Sequence, residues 1–294
     1  MLLRDISPLR FPGSKQELVP YILNVLEYNE IKPDVLVEPF VGGGSVFLNM
    51  LANKTIEKAI IADKDPLIYS FWKVLFSDPG CLIGFVRKIQ VNLKNFYKYK
   101  EISRNYQDYG PVALAKSCIF LNRTSFSGLL TDKVGPLGGK YQKSAYPIDC
   151  RFCRDTLAKR ILSAATFSEK VIVLQCDWKE TVDFALQWKS KRKKPYRLLF
   201  YLDPPFYLKA ADLYRFHFTE DEHRRLSKNL MSLREDWILS YDNAKTIRTL
   251  YSQPGYMRVN IQLPYSLNSH AKRLQKELFI TPLKIPRRNS ATWR

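Results

Sequence analysis

Val35-Leu36-Val37-Glu38-Pro39-Phe40-Val41-Gly42-Gly43-Gly44-Ser45 is the most informative stretch of the chain. An apolar run ends in an acid, a proline stops it, and three glycines turn the chain into the helical period Ser45–Ala52. A strand leading through a glycine turn into a helix is the first half of a strand–helix–strand unit. The next strand, Lys58–Ala62, is again followed by an acid, Asp63. Further β-rich runs lie at Val171–Gln175, Leu198–Leu202 and Trp237–Tyr241, and helical periods at Lys15–Tyr28, Asp177–Trp188, Thr219–Leu233 and Ala244–Tyr251. Thr219 followed by Glu222 has the form of a capping box. Strands alternating with helices predict an α/β chain on a parallel sheet covered on both faces. Two last strands, Met257–Leu263 and Glu277–Thr281, precede a basic tail with Lys284, Arg287, Arg288 and Arg294.

The alternation lapses between Phe71 and Thr166. This stretch is rich in Lys, Tyr, Asn and Phe and holds the cluster Val134-Gly135-Pro136-Leu137-Gly138-Gly139-Lys140. It reads as a largely helical insertion carrying an exposed loop, residues 71–166, set into a core made of residues 1–70 and 167–294.

Composition narrows the partners. The 294 residues are 46% hydrophobic and 13% aromatic, enough for a full core and unlike a disordered or fibrous chain. Lys and Arg number 47 against 28 Asp and Glu, a net charge of +19, which points to a polyanionic partner, nucleic acid before acidic lipid. No apolar run is long enough to span a membrane, and the first ten residues lack the apolar stretch of a signal peptide. Five scattered cysteines imply reduced thiols and a cytoplasmic chain. Cys150 and Cys153 form a lone CxxC, and the histidines lack metal-binding spacing, so no metal is expected. His223 is expected on an exposed helix face. The basic run Lys189–Arg197 is expected at the sheet end remote from the catalytic motif, as a solvated loop.

Two motifs carry chemistry. The glycine turn does not have the GxGxxG spacing of a dinucleotide site. Glu38 and Asp63 would repel a pyrophosphate but suit a cationic nucleoside such as S-adenosylmethionine, with Asp63 placed for a ribose diol. The run Leu198–Leu202 leads straight into Asp203-Pro204-Pro205-Phe206. Two prolines force the chain out of the sheet in a fixed, extended shape. There the Asp203 carboxylate and the Pro204 carbonyl can each accept one hydrogen of a base's exocyclic amine, freeing its lone pair for a methyl group. Phe206 can stack on a base flipped out of its helix.

Pro12-Gly13-Ser14-Lys15, Glu38 to Ser45, Ala62-Asp63 and Asp203 to Phe206, in this order, resemble the motifs of Dam-type adenine-N6 DNA methyltransferases. Leu121-Asn122-Arg123-Thr124-Ser125-Phe126-Ser127-Gly128-Leu129 resembles that family's DNA-contacting region. The resemblance implies a Rossmann-like S-adenosylmethionine-dependent core with an inserted, mostly helical target-recognition domain. It implies that Phe11, Pro12, Gly13 and Lys15 help hold the cofactor, and that Glu38, Pro39, Phe40, Gly42 and Gly44 cradle its methionine part. Asp63 then takes the ribose, Asp177 meets the adenine, and Asp203, Pro204, Pro205 and Phe206 form the catalytic motif. Asn122, Arg123, Thr124, Ser125, Phe126, Ser127 and Lys140 are the implied contacts to double-stranded DNA. The resemblance departs at Phe206, where the family more often has Tyr. It also departs at Ser127 and Thr131, which stand where GATC-reading members carry Asn and Arg. The expected activity is site-specific methylation of adenine N6, in the setting of a restriction–modification system with a companion endonuclease. The alternatives are an RNA adenine-N6 methyltransferase and a non-catalytic nucleic-acid-binding protein of the same fold.

Overall fold

The computed structural model describes residues 6–10, 15–208, 210–265 and 273–286. Its strands are β1 (Val35–Glu38), β2 (Lys58–Ala62), β3 (Val171–Leu174), β4 (Leu198–Leu202), β5 (Asp236–Asp242), β6 (Met257–Tyr265) and β7 (Arg273–Thr281). They form a seven-stranded sheet in the order β3-β2-β1-β4-β5-β7-β6. The first five run parallel, and β7 lies antiparallel between β5 and β6. The helices are α1 (Val19–Tyr28), α2 (Ser45–Ala52), α3 (Pro66–Ser77), α4 (Pro79–Lys88), α5 (Leu93–Arg104) and α6 (Pro111–Thr124). They continue as α7 (Arg154–Ala165), α8 (Trp178–Ser190), α9 (Ala210–Leu213), α10 (Glu220–Ser232) and α11 (Lys245–Leu250).

Side chains alternate across the central strands, so the sheet builds two apolar layers. Leu36, Ile61, Leu199 and Tyr201 face one layer, closed by α1, α2 and the helices α3 to α7. Val35, Val37, Ile60, Phe200 and Leu202 face the other, closed by Trp178 and Val182 of α8, Leu226 and Leu230 of α10 and Ile247 of α11. From β1 the chain steps outward to β2 and β3, then returns to the far side of β1 as β4. Connections therefore diverge between β1 and β4, which opens a crevice at their carboxyl ends. Glu38 closes β1 and Asp203 follows β4, so both acids stand at that crevice.

Several elements differ in detail from the sequence expectation. The period Lys15–Tyr28 splits into a 3-10 turn, Lys15–Leu18, and α1, because Pro20 lacks an N–H and fits only in a first helical turn. Strands β6 and β7 run longer than their apolar cores. They pair as one ladder from Met257 opposite Thr281 to Tyr265 opposite Arg273, and backbone pairing needs no apolar side chains at its far end. Asp177 and Thr219 are caps rather than helical residues, each in a complete capping box. His223 is 3% exposed, a correction to the exposed face expected for it. It lies on the inward stripe of α10 with Leu226 and Leu230, and its Nδ1 meets the Tyr241 hydroxyl. Burial lowers that imidazole to about 4, so it is neutral near pH 7.

Residues 66–165 supply five α-helices. Phe71, Trp72, Leu82, Phe96, Phe120 and Ile161 from them are buried in the same apolar layer as α1 and α2. Between α6 and α7 the chain is mostly loop, with Ser125 bridged to Pro136. At the opposite end of the sheet the basic run is tied by ion pairs, Lys189 to Glu235, Lys194 to Asp34 and Glu57, and Arg197 to Asp236. No helix among the described residues is long and apolar enough to cross a membrane.

Candidate active site

A cleft of about 1160 Å³, its open mouth included, lies at the carboxyl ends of the parallel strands. Lys15, Glu38, Pro39, Phe40, Gly42, Gly44, Asp63, Asp177 and Asp203 all line it. Phe11, Pro12 and Gly13 lie outside the described residues, as do the tail residues Arg287, Arg288 and Arg294.

The glycine turn forms the floor. Gly44 caps α2 with φ +63°, and a Cβ there would come within 2.3 Å of Phe47 and 2.6 Å of Trp72. Only glycine combines that conformation with that closeness. Trp72 Nε1 donates to the Gly42 carbonyl at 3.0 Å, and Gly42 N–H donates to Asp63 Oδ2 at 3.0 Å. Asp63 Oδ1 accepts from Asp65 N–H at 2.9 Å, so one carboxylate clasps both loops. Burial, with Asp65 adding to it, lifts the Asp63 carboxyl to about 7. Glu38 Oε2 accepts the Phe47 N–H at 3.3 Å, and burial, aided by Asp203, holds Glu38 well above the usual carboxylate range. Asp177 Oδ1 accepts the Glu180 N–H at 2.9 Å, fixing this acid at the cleft's edge.

Asp203 is held differently. Lys15 Nζ lies 3.1 Å from its Oδ1, and Ser240 Oγ donates to the same oxygen at 3.0 Å. The Tyr201 hydroxyl lies 3.0 Å behind Ser240, extending the chain into the core. Oδ1 is thus anchored, while Oδ2 has no hydrogen-bond partner among the described residues. Burial lifts this carboxyl, Lys15 opposes the lift and Glu277 adds to it, which leaves it at about 6. Beyond Asp203 the two prolines are buried and the turn is fixed by Asp242, whose oxygens accept from Tyr207 N–H at 2.7 Å and Leu208 N–H at 2.9 Å. Pro205 lines the cleft; Phe206 stands beside it, edge-on to Tyr214 at 6.0 Å, with Lys15 Nζ 5.2 Å from its ring centre.

Sequence reasoning missed Glu277 and the run Tyr214-Arg215-Phe216-His217-Phe218. Glu277 Oε1 lies 3.0 Å from Lys15 Nζ, and the 214–218 run forms a wall of the cleft. Phe218 meets Phe40 edge-on at 5.6 Å. Arg215 donates to the Ser103 hydroxyl and carbonyl, both at 2.9 Å, and stands 3.8 Å from Asp65, tying this wall to α5 and α3. Three aromatic residues in five, just after the proline motif, were the available signal.

The segment Asn122–Ser125 is buried, with its polar groups turned inward. Asn122 Oδ1 accepts from Arg10 N–H at 2.7 Å, and its Nδ2 donates to the carbonyls of Arg10 at 2.6 Å and Gly128 at 2.9 Å. Arg123 Nε donates to the Pro8 carbonyl at 2.9 Å, and Thr124 Oγ1 to that of Phe120 at 2.8 Å. Gly128, at φ +75°, permits the approach, since a Cβ would lie 2.7 Å from the Arg10 carbonyl. These residues hold segment 6–10 against the end of α6. Phe126 is 55% exposed beyond them, Ser127 takes φ +56°, and Lys140 is exposed on the following loop.

The cleft gathers Glu38, Asp63, Asp65, Asp177, Asp203 and Glu222 around Lys15, Lys64 and Arg215. Such an excess of acids, several of them buried above their ordinary range, suits a cationic ligand carrying hydroxyls. Among the described residues no cluster of His, Cys, Asp or Glu has metal-holding geometry.

Comparison with known proteins adds a family. The model of the D12 class N6 adenine-specific DNA methyltransferases matches residues 11–264. A type II methyltransferase of Methanocaldococcus jannaschii is 29% identical over 49% of this chain and 54% of its own length. A DNA adenine methylase of Vibrio cholerae is 29% identical over 58% of this chain and 61% of its own. A DNA adenine methylase of Haemophilus influenzae is 24% identical over 84% of each chain. The chain thus spans little more than half the length of the first two relatives.

Proposed function

The chain belongs to the D12 class of N6 adenine-specific DNA methyltransferases, and on that premise we propose that it methylates the exocyclic amine of adenine in double-stranded DNA, with S-adenosylmethionine as donor. The observation that carries this reading is Asp203, which lines the cleft with its Oδ1 held by Lys15 and Ser240. An amine conjugated to a purine is a weak nucleophile, and a carboxylate that accepts its hydrogen bond returns electron density to the nitrogen. The rigid proline turn, clasped by Asp242, presents the Pro204 carbonyl as a second acceptor. Phe206 offers a face for the base, which must leave the duplex stack to enter the cleft.

The donor set fits the cofactor. S-adenosylmethionine supplies an activated methyl group on a sulfonium, and the acids of the cleft favour that positive charge. Glu38 and the glycine turn would hold the methionine part, Asp63 the ribose diol and Asp177 the adenine. Closure of the cleft by Phe40 and Phe218 would exclude water from the reacting nitrogen.

Residues 71–166 are the proposed target-recognition unit, and residues 1–70 with 167–294 the catalytic core. Phe126, Ser127 and Lys140 would face the DNA, with Asn122 to Ser125 shaping the loop that presents them. Replacing Asp203 by Ala should lower methyl incorporation into DNA about 10²- to 10⁴-fold and leave donor binding within a few-fold. Undiminished transfer by the variant would sink the reading.

A further inference from the structure

Glu277 is a buried acid with no part in the chemistry above. It lies on β7 beside Leu278, Phe279 and Ile280, is 3% exposed, and its Oε1 stands 3.0 Å from Lys15 Nζ. Lys15 is itself 5% exposed, and its ammonium also lies 3.1 Å from Asp203 Oδ1. One cation therefore bridges two carboxylates from different parts of the chain. An acid among such neighbours is unfavourable unless it is paired.

We propose that Glu277 is a positioning residue that shares Lys15 with Asp203 and so keeps Asp203 a strong proton acceptor for the substrate amine. The proposal rests on the methyl-transfer reading given above. As the amine nitrogen takes the methyl group through its lone pair, the donor's carbon–sulfur bond would break with its electron pair going to sulfur, and the nitrogen becomes cationic. One N–H bond must then break, its electron pair returning to nitrogen and its proton passing to Oδ2 of Asp203. A carboxylate paired with a lysine of its own would have a weakened proton affinity, because the full field of the ammonium would stabilise its ionised form. Glu277 gives the ammonium a second carboxylate to face, so its field at Asp203 is divided. The same contact holds Lys15 Nζ where it anchors Oδ1. The other groups around Asp203 act with this arrangement. Glu38 from β1 is a further acid, Ser240 from β5 donates to Oδ1, and burial raises the hydroxyls of Tyr201, Tyr214 and Tyr241, which keeps them neutral.

The test is a carbon-13 titration of side-chain carboxyls in the full chain, with Asp203→Asn identifying the resonance. The wild-type Asp203 midpoint is expected at about 6. Glu277→Gln should lower it by roughly one pH unit, and Lys15→Met should raise it by a similar amount. Glu277→Asp, which restores the charge, should bring the midpoint back toward the wild-type value. The acid limb of single-turnover methylation should move down with it in Glu277→Gln, while the plateau rate falls. A purely structural Glu277 would alter unfolding and leave both midpoints in place, and that result overturns the proposal. If Glu277→Gln fails to fold, the wild-type titration decides. A wild-type Asp203 midpoint at the ordinary carboxylate value of 3.8 overturns the proposal as well. Failure of the wild-type enzyme to methylate DNA would instead remove the reading on which the proposal rests, and the carboxyl titration distinguishes the two.

Discussion

Both oxygens of Asp63 accept backbone N–H groups, from Gly42 and from Asp65, so the isosteric amide cannot take its place. In Asp63→Asn an NH₂ group must oppose one of those donors. Chemical unfolding at pH 8 should show a loss of about 1–3 kcal/mol, with donor binding weakened in parallel. The carboxyl also makes stability depend on pH. It holds its proton to about 7 in the folded chain against an ordinary value of 3.8. Its contribution is therefore fully present below the ordinary value and is lost as pH rises through the folded one, a dependence that Asp63→Asn should flatten. Glu38, Asp63 and Asp203 were legible in the sequence because each follows an apolar run and so stands at a strand's end. Glu277 was not, since its meaning comes from Lys15, a partner at the other end of the chain. His223 misled because its polarity outweighed the stripe it forms with Leu226 and Leu230.

The glycine turn is the element on which the site rests. Gly44→Ala would force both a left-handed residue and a clash with Phe47 and Trp72, side chains that join α2 to α3. The expected loss is about 2–5 kcal/mol, summing backbone strain and overpacking, and thermal unfolding measures it. The end of α6 offers a contrast of roles. Asn122→Ala leaves the backbone groups of Arg10 and the Gly128 carbonyl without their partner and should lower stability by about 1–3 kcal/mol. Phe126→Ala, at a side chain 55% exposed, should leave unfolding unchanged and weaken DNA binding several-fold in a gel-shift titration. Unaltered DNA affinity would remove Phe126 from the interface. The recognition-like segment could be read as polar and DNA-facing because residue type reports hydrogen-bonding capacity and not its direction. Whether Asn122 faces a base or the Arg10 backbone is set by the packing of segment 6–10, which no local pattern encodes.

Across the chain, strand–helix alternation made the parallel orientation of β1 to β5 legible, since helical connections bring each strand back to the same end of the sheet. The insertion of β7 between β5 and β6 was not legible, because an antiparallel ladder leaves no mark on the spacing of apolar runs. Net charge is also a property of the whole chain. The excess of +19 favours DNA over a neutral partner, although Lys189, Lys194 and Arg197 are tied to acids far from the cleft. If roughly six phosphates are neutralised, the plot of log binding constant against log salt should slope at about −5. A slope near zero would contradict an electrostatic DNA interface. Methyl transfer is read most directly by following a labelled methyl group from S-adenosylmethionine to unmethylated mixed-sequence duplex DNA, with RNA in a parallel reaction and nucleoside identification after digestion. Label is expected in N6-methyldeoxyadenosine and is lost in Asp203→Ala. Label confined to RNA, or retained in that variant, would contradict the proposed reaction.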